Sequence, residues 1–323
     1  MKKYLGLDIG GTKIEIILLI ETIDKTAHKV VSNFYKIQDR KRIDTNRDKG
    51  YDFVLNNILN LCLDICSTNN LKIGDIEAIG LGLPGSINPD TLIMVNGNSL
   101  VFKDKNVKND LQNLLKTKVP IFIENDANLF ALSETIWGAG RDHCKVNKTE
   151  SNNLLGIGII LGTGCGGGFV NKGKIYNGRR GGGLEIGHTT LVEQGTPCYC
   201  GRVGCAEQYL SGSGITNEYL KNFKMKLSAQ EIFNNYKDSD QKSTQVINQY
   251  KSNLINFLSN LNNIFDPDFI VLGGGVSNQD IIYKGLTLEV RKRSFITNSN
   301  IEIYKNKLGD SSGVLGAAIL PLL

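Results

Sequence analysis

"YLGLDIGGTKIEIILLI" (residues 4–20) reads as an apolar strand, a glycine turn and a second apolar strand. The tight "GGT" bounds both strands, and Asp8 lies at the end of the first. A glycine pair there lets backbone N–H groups turn toward an anion, Thr12 adds a hydroxyl donor, and Asp8 is placed to hold a metal-bound water. The same pattern also fits an ordinary glycine-rich hairpin, so its meaning comes from an echo further along. "LLGIGIILGTGCGGGFVNKGKIY" (154–176) is again strand, glycine turn, strand. This weak internal repeat predicts two halves built on one plan.

The segments around these hairpins alternate in type. Apolar residues recur at helical spacing over about 46–69, through Phe53, Leu55, Ile58, Leu59, Cys62 and Ile65. "IEAIGLGLPGS" (76–86) predicts a buried strand ending in a Pro-Gly turn, and "VKNDLQNLLKTK" (107–118) a short amphipathic helix. "VPIFIEND" predicts a strand, followed by the helix "ANLFALSETIWGAG" with glycine as its stop signal. "DHCKVNKTESNN" (142–153) reads as a polar loop, and roughly 213–265 as a helical region. "DFIVLGGGVS" (268–277) reads as a strand whose three glycines open a helix, and "SSGVLGAAILPLL" as a closing helix with an apolar face. Alternating strands and helices make the fold class α/β.

Composition narrows the function. The 323 residues are 41% hydrophobic and 21% charged, ordinary for a soluble globular protein and enough for two domains. The 36 glycines concentrate in a few loops, which suits backbone approach to phosphate. A net charge of +5 comes from scattered lysines, with no basic stripe, so nucleic acid is not expected as a partner. "MKKYLGLDIGG" does not read as a signal peptide, and "IEIILLI" is too short for a membrane span and carries Glu15. The expected location is the cytoplasm, where clustered cysteines point to metal rather than disulfides. Cys62, Cys66, Cys144 and Cys165 lack partner spacing, and the first two read as small core residues.

Four further motifs bear on chemistry. "GTGCGGG" (162–168) is a second phosphate-loop candidate, and "LGGG" (272–275) a third, where adenosine could lie against backbone. "ENDAN" (124–128) places Asp126 between a strand and a helix, either as a helix N-cap or as a carboxylate able to take a proton from a substrate hydroxyl. His188, Cys198, Cys200 and Cys205 form one imidazole and three thiolates, a closed tetrahedral set that reads as structural zinc. Glu185 and Glu207 flank that set, and a rigid knot would hold both as acceptors for a polyhydroxylated ligand.

Taken in order, "DIGGTK", "GLPG", "ENDAN", "GTGCGGG", "EIGH", "CYCGRVGC" with "EQYLSG", and "LGGG" resemble the ROK family of bacterial sugar kinases over almost the whole chain. The resemblance implies a two-domain actin-like, hexokinase-like ATPase fold, with duplicated ribonuclease H-like domains and a zinc-binding loop over 188–205. It implies a smaller domain of residues 1–124 plus the last helix at about 310–323, and a larger one of 125–309. Asp126 would be the catalytic base. Asp8, Gly10, Gly11, Thr12 and Lys13 would serve ATP, with Gly162, Thr163 and Gly164 at its phosphates and Gly274 and Gly275 near its adenosine. Gly85, Asn98, Asn125, Asp126, Glu185, His188 and Glu207 would hold the sugar, His188 serving also as zinc ligand. ATP, Mg²⁺ and structural Zn²⁺ are the implied cofactors. A hexose substrate and a second copy of the chain are the expected partners, with no nucleic acid and no membrane.

"GSINPDT", "GNS", "PCYCG" and "GDSSGVLGAA" look most like the fructokinase/mannokinase-type members. Val101 stands where those members tend to carry Trp. Members acting on glucose or N-acetylglucosamine share nearly all the other motifs. The repressors of the family carry a DNA-binding segment before the first phosphate loop, which here begins at about Gly6, so an enzyme is expected rather than a repressor. A sugar or ATP sensor without turnover is the reading of another class, and the intact "ENDAN" argues against it.

Overall fold

The computed structural model describes all of the 323 residues except 23–29, 33–34, 98–99 and 297–298. The chain divides into two compact units. The first comprises 1–137, 173–183 and 310–323, and the second 138–172 and 184–309.

In the first unit, strand Lys3–Ile9 turns through Gly10–Thr12 into the antiparallel strand Lys13–Glu21. On the other side of Lys3–Ile9 run two parallel strands, Ala78–Leu83 and then Ile121–Asn125. Tyr35–Asp44 and Val30–Ser32 extend the opposite edge. The two central strands are buried on both faces, which is why they read as near-continuous apolar runs. Helix Tyr51–Thr68 sets Val54, Ile58, Cys62 and Ile65 into this core, so Cys62 and Cys66 are packing residues as expected.

In the second unit, Leu155–Leu161 turns through Gly162–Gly164 into the antiparallel Cys165–Asn171. The parallel strands Phe269–Gly273 and Glu302–Lys305 follow on its other side. Each unit therefore has the same local order: hairpin partner, first strand, then two parallel strands. Helices Gly212–Phe223, Ala229–Lys237 and Gln241–Phe265 fill the region read as helical and share one core with this sheet.

The last helix, Ser312–Ile319, belongs to the first unit and lies directly on its sheet. A Cβ at Gly80 would strike the Ala317 carbonyl, and one at Gly6 would meet Val314 and Ala318 backbone at 2.5 Å. Side chains have been left out of this contact so that helix and strand backbones can touch.

Two expectations change. "DHCKVNKTESNN" is not a loop throughout: Ala139–Asn147 is helical. Its polar sequence hides the reason, since only His143 and the two residues at its start are buried, and His143 packs on Phe269 and Tyr304, with Nδ1 3.2 Å from the tyrosine hydroxyl. "LGGG" opens no α-helix directly. Gly274 adopts a left-handed φ of 82° against the Leu161 carbonyl, and 3₁₀ turns Gly275–Asn278 and Asp280–Tyr283 precede helix Leu286–Arg293. No helix among the described residues is long and apolar enough to cross a membrane.

Candidate functional site

The first unit gathers Asp8, the Gly10–Lys13 turn and Asp126. The turn is closed by Gly10 N–H donating to the Lys13 carbonyl at 2.9 Å, leaving Thr12 and Lys13 exposed. Asp8, next to last in the first strand, lies beside the start of the last helix, where a Cβ on Gly313 would collide with the Asp8 carboxylate. Burial pushes the Asp8 carboxyl up to about 7, with Asp126 and Glu15 adding to the rise and Arg42 opposing it. Glu15 lies opposite Asp8 in the strand register and is itself buried, paired with Arg40 and with Arg42 Nε at 2.9 Å. Sequence reasoning missed this row because pairing across three strands is invisible in the spacing along one.

Asp126 is the first residue of helix Asp126–Ile136. It is not the N-cap: Asn125 caps the helix, its side-chain oxygen accepting from Ala127 N at 2.9 Å and Asn128 N at 3.2 Å. The N-cap is therefore the preceding residue, and the Asp126 carboxylate shares one of its donors, Oδ1 accepting from Ala127 N at 2.8 Å. Asn125 also donates to the Gly85 carbonyl at 3.1 Å, and a Cβ on Gly85 would collide with the Asn96 carbonyl. Asn98, expected at the sugar, lies outside the described residues.

A second carboxylate in the same motif escaped the sequence reading. Glu124 is buried and accepts from Asn125 N at 2.8 Å, Asn128 Nδ2 at 3.0 Å and Asn177 Nδ2 at 2.8 Å. Burial raises its carboxyl and these donors oppose the rise. It holds the strand-to-helix junction in place. The signal available was the acid adjoining the cap, but Asn177 lies 53 residues away in the chain.

The second unit gathers the other glycine loops and the cysteine cluster. Gly162 N–H donates to Gly164 at 3.0 Å, and Gly212 N–H to the Gly162 carbonyl at 2.8 Å, so the turn rests on the start of helix Gly212–Phe223. Beside them a cavity of about 600 Å³ is lined by Gly162, Thr163, Gly212, Gln230, Gly275 and Gln279 among others. That size is within the usual range for small-molecule sites.

His188, Cys198, Cys200 and Cys205 offer donor atoms that all lie within 4.8 Å of one another. The Cys200 and Cys205 sulfurs are 3.6 Å apart, as are Cys198 Sγ and His188 Nδ1. Tetrahedral zinc with Zn–S bonds of about 2.3 Å separates its sulfurs by about 3.8 Å, so the donors fit that ion. Burial and the neighbouring thiols push Cys205 up to about 12, whereas the Arg202 backbone N–H holds the Cys200 thiol below its usual value. A bound cation would remove the conflict among crowded thiolates. The second imidazole nitrogen, Nε2, meets the Tyr199 hydroxyl at 3.1 Å.

The two flanking acids differ in role. Glu207 is buried and accepts from Cys165 N at 2.9 Å, which ties the cysteine loop to the strand after Gly162–Gly164. Glu185 is exposed and precedes the 3₁₀ turn Ile186–His188.

The ROK family model matches residues 4–322. The chain belongs to the ROK family. Its homologues include ROK sugar kinases: it is 34% identical, over 98% of both chains, to an N-acetyl-D-glucosamine kinase of Haemophilus influenzae. It is 33% identical, over 99% of both, to the enzyme of the same name from Pectobacterium atrosepticum. A ROK hexokinase from Thermus thermophilus superposes with a TM-score of 0.81 at 26% identity, over 98% of this chain and 97% of the other. The expected actin-like hexokinase fold is the fold of this ROK protein.

Two predictions follow from the chemistry of these groups. Folding makes the Asp8 proton harder to remove, so stability falls as pH rises from the ordinary carboxylate range near about 4 toward about 7. Asp8→Asn is therefore expected to raise the urea midpoint of nucleotide- and metal-free protein at pH 8, with a smaller gain at pH 5. A variant no more stable than wild type at pH 8 would show that other interactions outweigh the burial. Metal analysis of purified protein is expected to find about one zinc per chain, lost in Cys200→Ser. Folded, active, zinc-free wild-type protein would contradict that assignment.

Proposed function

We propose that the chain is an ATP-dependent kinase that phosphorylates the 6-hydroxyl of N-acetyl-D-glucosamine. The observation that carries the choice of sugar is the whole-chain similarity, at 34% identity, to a kinase of that name. The fructose or mannose preference expected from "GSINPDT" and "GDSSG" has no counterpart in the two curated relatives named above. It stays as the second reading because those motifs favour it and Val101 does not.

Phosphoryl transfer asks a protein mainly for positioning and charge stabilisation. In this reading Asp126 takes the proton of the sugar hydroxyl as its oxygen attacks the γ-phosphorus, and the bridging oxygen leaves with ADP. Its place in the first turn, one residue past the cap Asn125, supports that role. Gly10, Gly11, Thr12 and Lys13 would donate to phosphate oxygens from one hairpin, and Gly162, Thr163 and Gly164 from the other. Gly274 and Gly275 would border adenosine, a role supported by the cavity that Gly275 lines. Mg²⁺ bound with the nucleotide would neutralise phosphate charge, and Asp8 would hold a water of its shell. Gly85, Asn98, Asn125, Glu185, His188 and Glu207 would hold the sugar. Zinc on His188, Cys198, Cys200 and Cys205 would fix the loop that carries Glu185 and Glu207.

Asp126→Asn is expected to lower kcat about a hundredfold or more while calorimetry still detects sugar binding. Near-wild-type turnover would remove Asp126 from the chemistry. A coupled assay across N-acetylglucosamine, fructose, mannose and glucose is expected to give the highest kcat/KM on the first. A higher value on fructose or mannose would reinstate the second reading. Tight binding of a sugar with no turnover on any would favour the sensor.

A further inference from the structure

One cation of the first unit is not absorbed by that reading. The strand Tyr35–Asp44 carries Arg40, Lys41 and Arg42, all committed: the arginines to Glu15, the lysine to Asp64 at 2.6 Å. Three residues past the strand's end, Arg47 is exposed, and its guanidinium has no hydrogen-bond or ion-pair partner among the described residues.

Its position is set by the turn that bears it. Thr45 is fully buried and clamps this turn to the glycine hairpin twice. Its N–H donates to the Thr12 carbonyl at 2.8 Å and its hydroxyl to the Gly10 carbonyl at 2.7 Å. Asn46 then takes a left-handed φ of 50°, and the 3₁₀ turn Arg47–Lys49 begins. The result puts Arg47 Nη1 3.1 Å from where a Cβ of Gly11 would stand. The guanidinium thus occupies the side-chain space that glycine leaves open at the centre of the loop.

We propose that Arg47 is a nucleotide-phosphate ligand, completing the Gly10–Lys13 loop with a fixed cation. The inference rests on the reading of that loop as a phosphate site. Backbone N–H groups and a hydroxyl supply dipoles but no net charge, whereas guanidinium supplies charge with planar donors matched to phosphate oxygens. ATP carries two more phosphates than AMP, so a fixed cation at a phosphate loop is expected to act more strongly on ATP than on AMP. Arg47 therefore reads phosphate number, and acts as a positioning and charge-stabilising residue for transfer.

The test uses full-length Arg47→Gln, Arg47→Lys and Thr12→Val, with AMP and ATP titrated separately by calorimetry and turnover measured with saturating sugar. Arg47→Gln is expected to weaken ATP about tenfold or more, as loss of a hydrogen bond to a charged group does. AMP affinity, sugar KM and the unfolding midpoint are expected to stay within about twofold or at wild-type value, because the side chain is exposed. Arg47→Lys is expected to recover part of the loss, since the charge returns without the fork. Equal losses for AMP and ATP, or a lowered unfolding midpoint accompanying them, would assign Arg47 to turn packing and overturn the proposal. Weakened ATP binding in Thr12→Val with none in Arg47→Gln would remove Arg47 alone. No effect in either would remove the phosphate loop itself, and the proposal with it.

Discussion

Backbone contact between the last helix and the first sheet governs the first unit. Gly6 and Gly80 on two adjacent strands, with Gly316 on the helix, leave no side chains between Ser312–Ile319 and its neighbours. Interiors pack at crystal-like density, and a single added methyl here has no space to enter. The contact has a chemical consequence one turn earlier. Gly313 brings the helix start against the Asp8 carboxylate, adding to the burial that raises the group's proton affinity. On its other side the helix is joined to Asp126–Ile136 by Ser312 donating to Glu134 at 2.9 Å, both residues buried. The elements carrying Asp8 and Asp126 are thus held by the end of the chain.

Each glycine hairpin is in turn held from outside by one buried polar residue. In the first unit Thr45 grips Gly10 and Thr12. In the second, Glu207 grips the amide of Cys165, directly after Gly162–Gly164. Loops that offer bare backbone to an anion have no side chains with which to anchor themselves. A threonine or glutamate supplied by another segment performs that task, and a well-satisfied buried hydrogen bond makes the position unique. In the second unit the anchor belongs to the cysteine cluster, so a metal bound there would be linked to the geometry of the hairpin.

The knot itself combines several short loop contacts. Cys198 N–H donates to Arg202, Gly201 N–H to Cys198, and Ala206 N–H to Thr189, which bring Cys198 and Cys205 toward His188 from both sides. Such a small segment has little apolar surface of its own, so closed ligation would stabilise it where packing cannot. The Tyr199 hydroxyl on the free imidazole nitrogen adds an outer contact of the kind that orients metal-binding histidines.

By itself the sequence determined whatever depends on short-range pattern. The paired strand–glycine–strand units, the α/β alternation, the His–Cys–Cys–Cys set and the carboxylate of "ENDAN" were legible, since each lies within a few residues and obeys a period or a ligand count. The choice of Asn125 rather than Asp126 as cap was not, because either residue satisfies the local rule and only the hydrogen bonds distinguish them. The helix Ala139–Asn147 was read as loop because the contacts of His143 with Phe269 and Tyr304 come from more than a hundred residues away. Glu15 with its two arginines, Glu124 with Asn177, and Arg47 over Gly11 were decided by tertiary structure alone. Each is a contact made across strands and turns, and spacing along one chain carries no record of which strands will lie side by side.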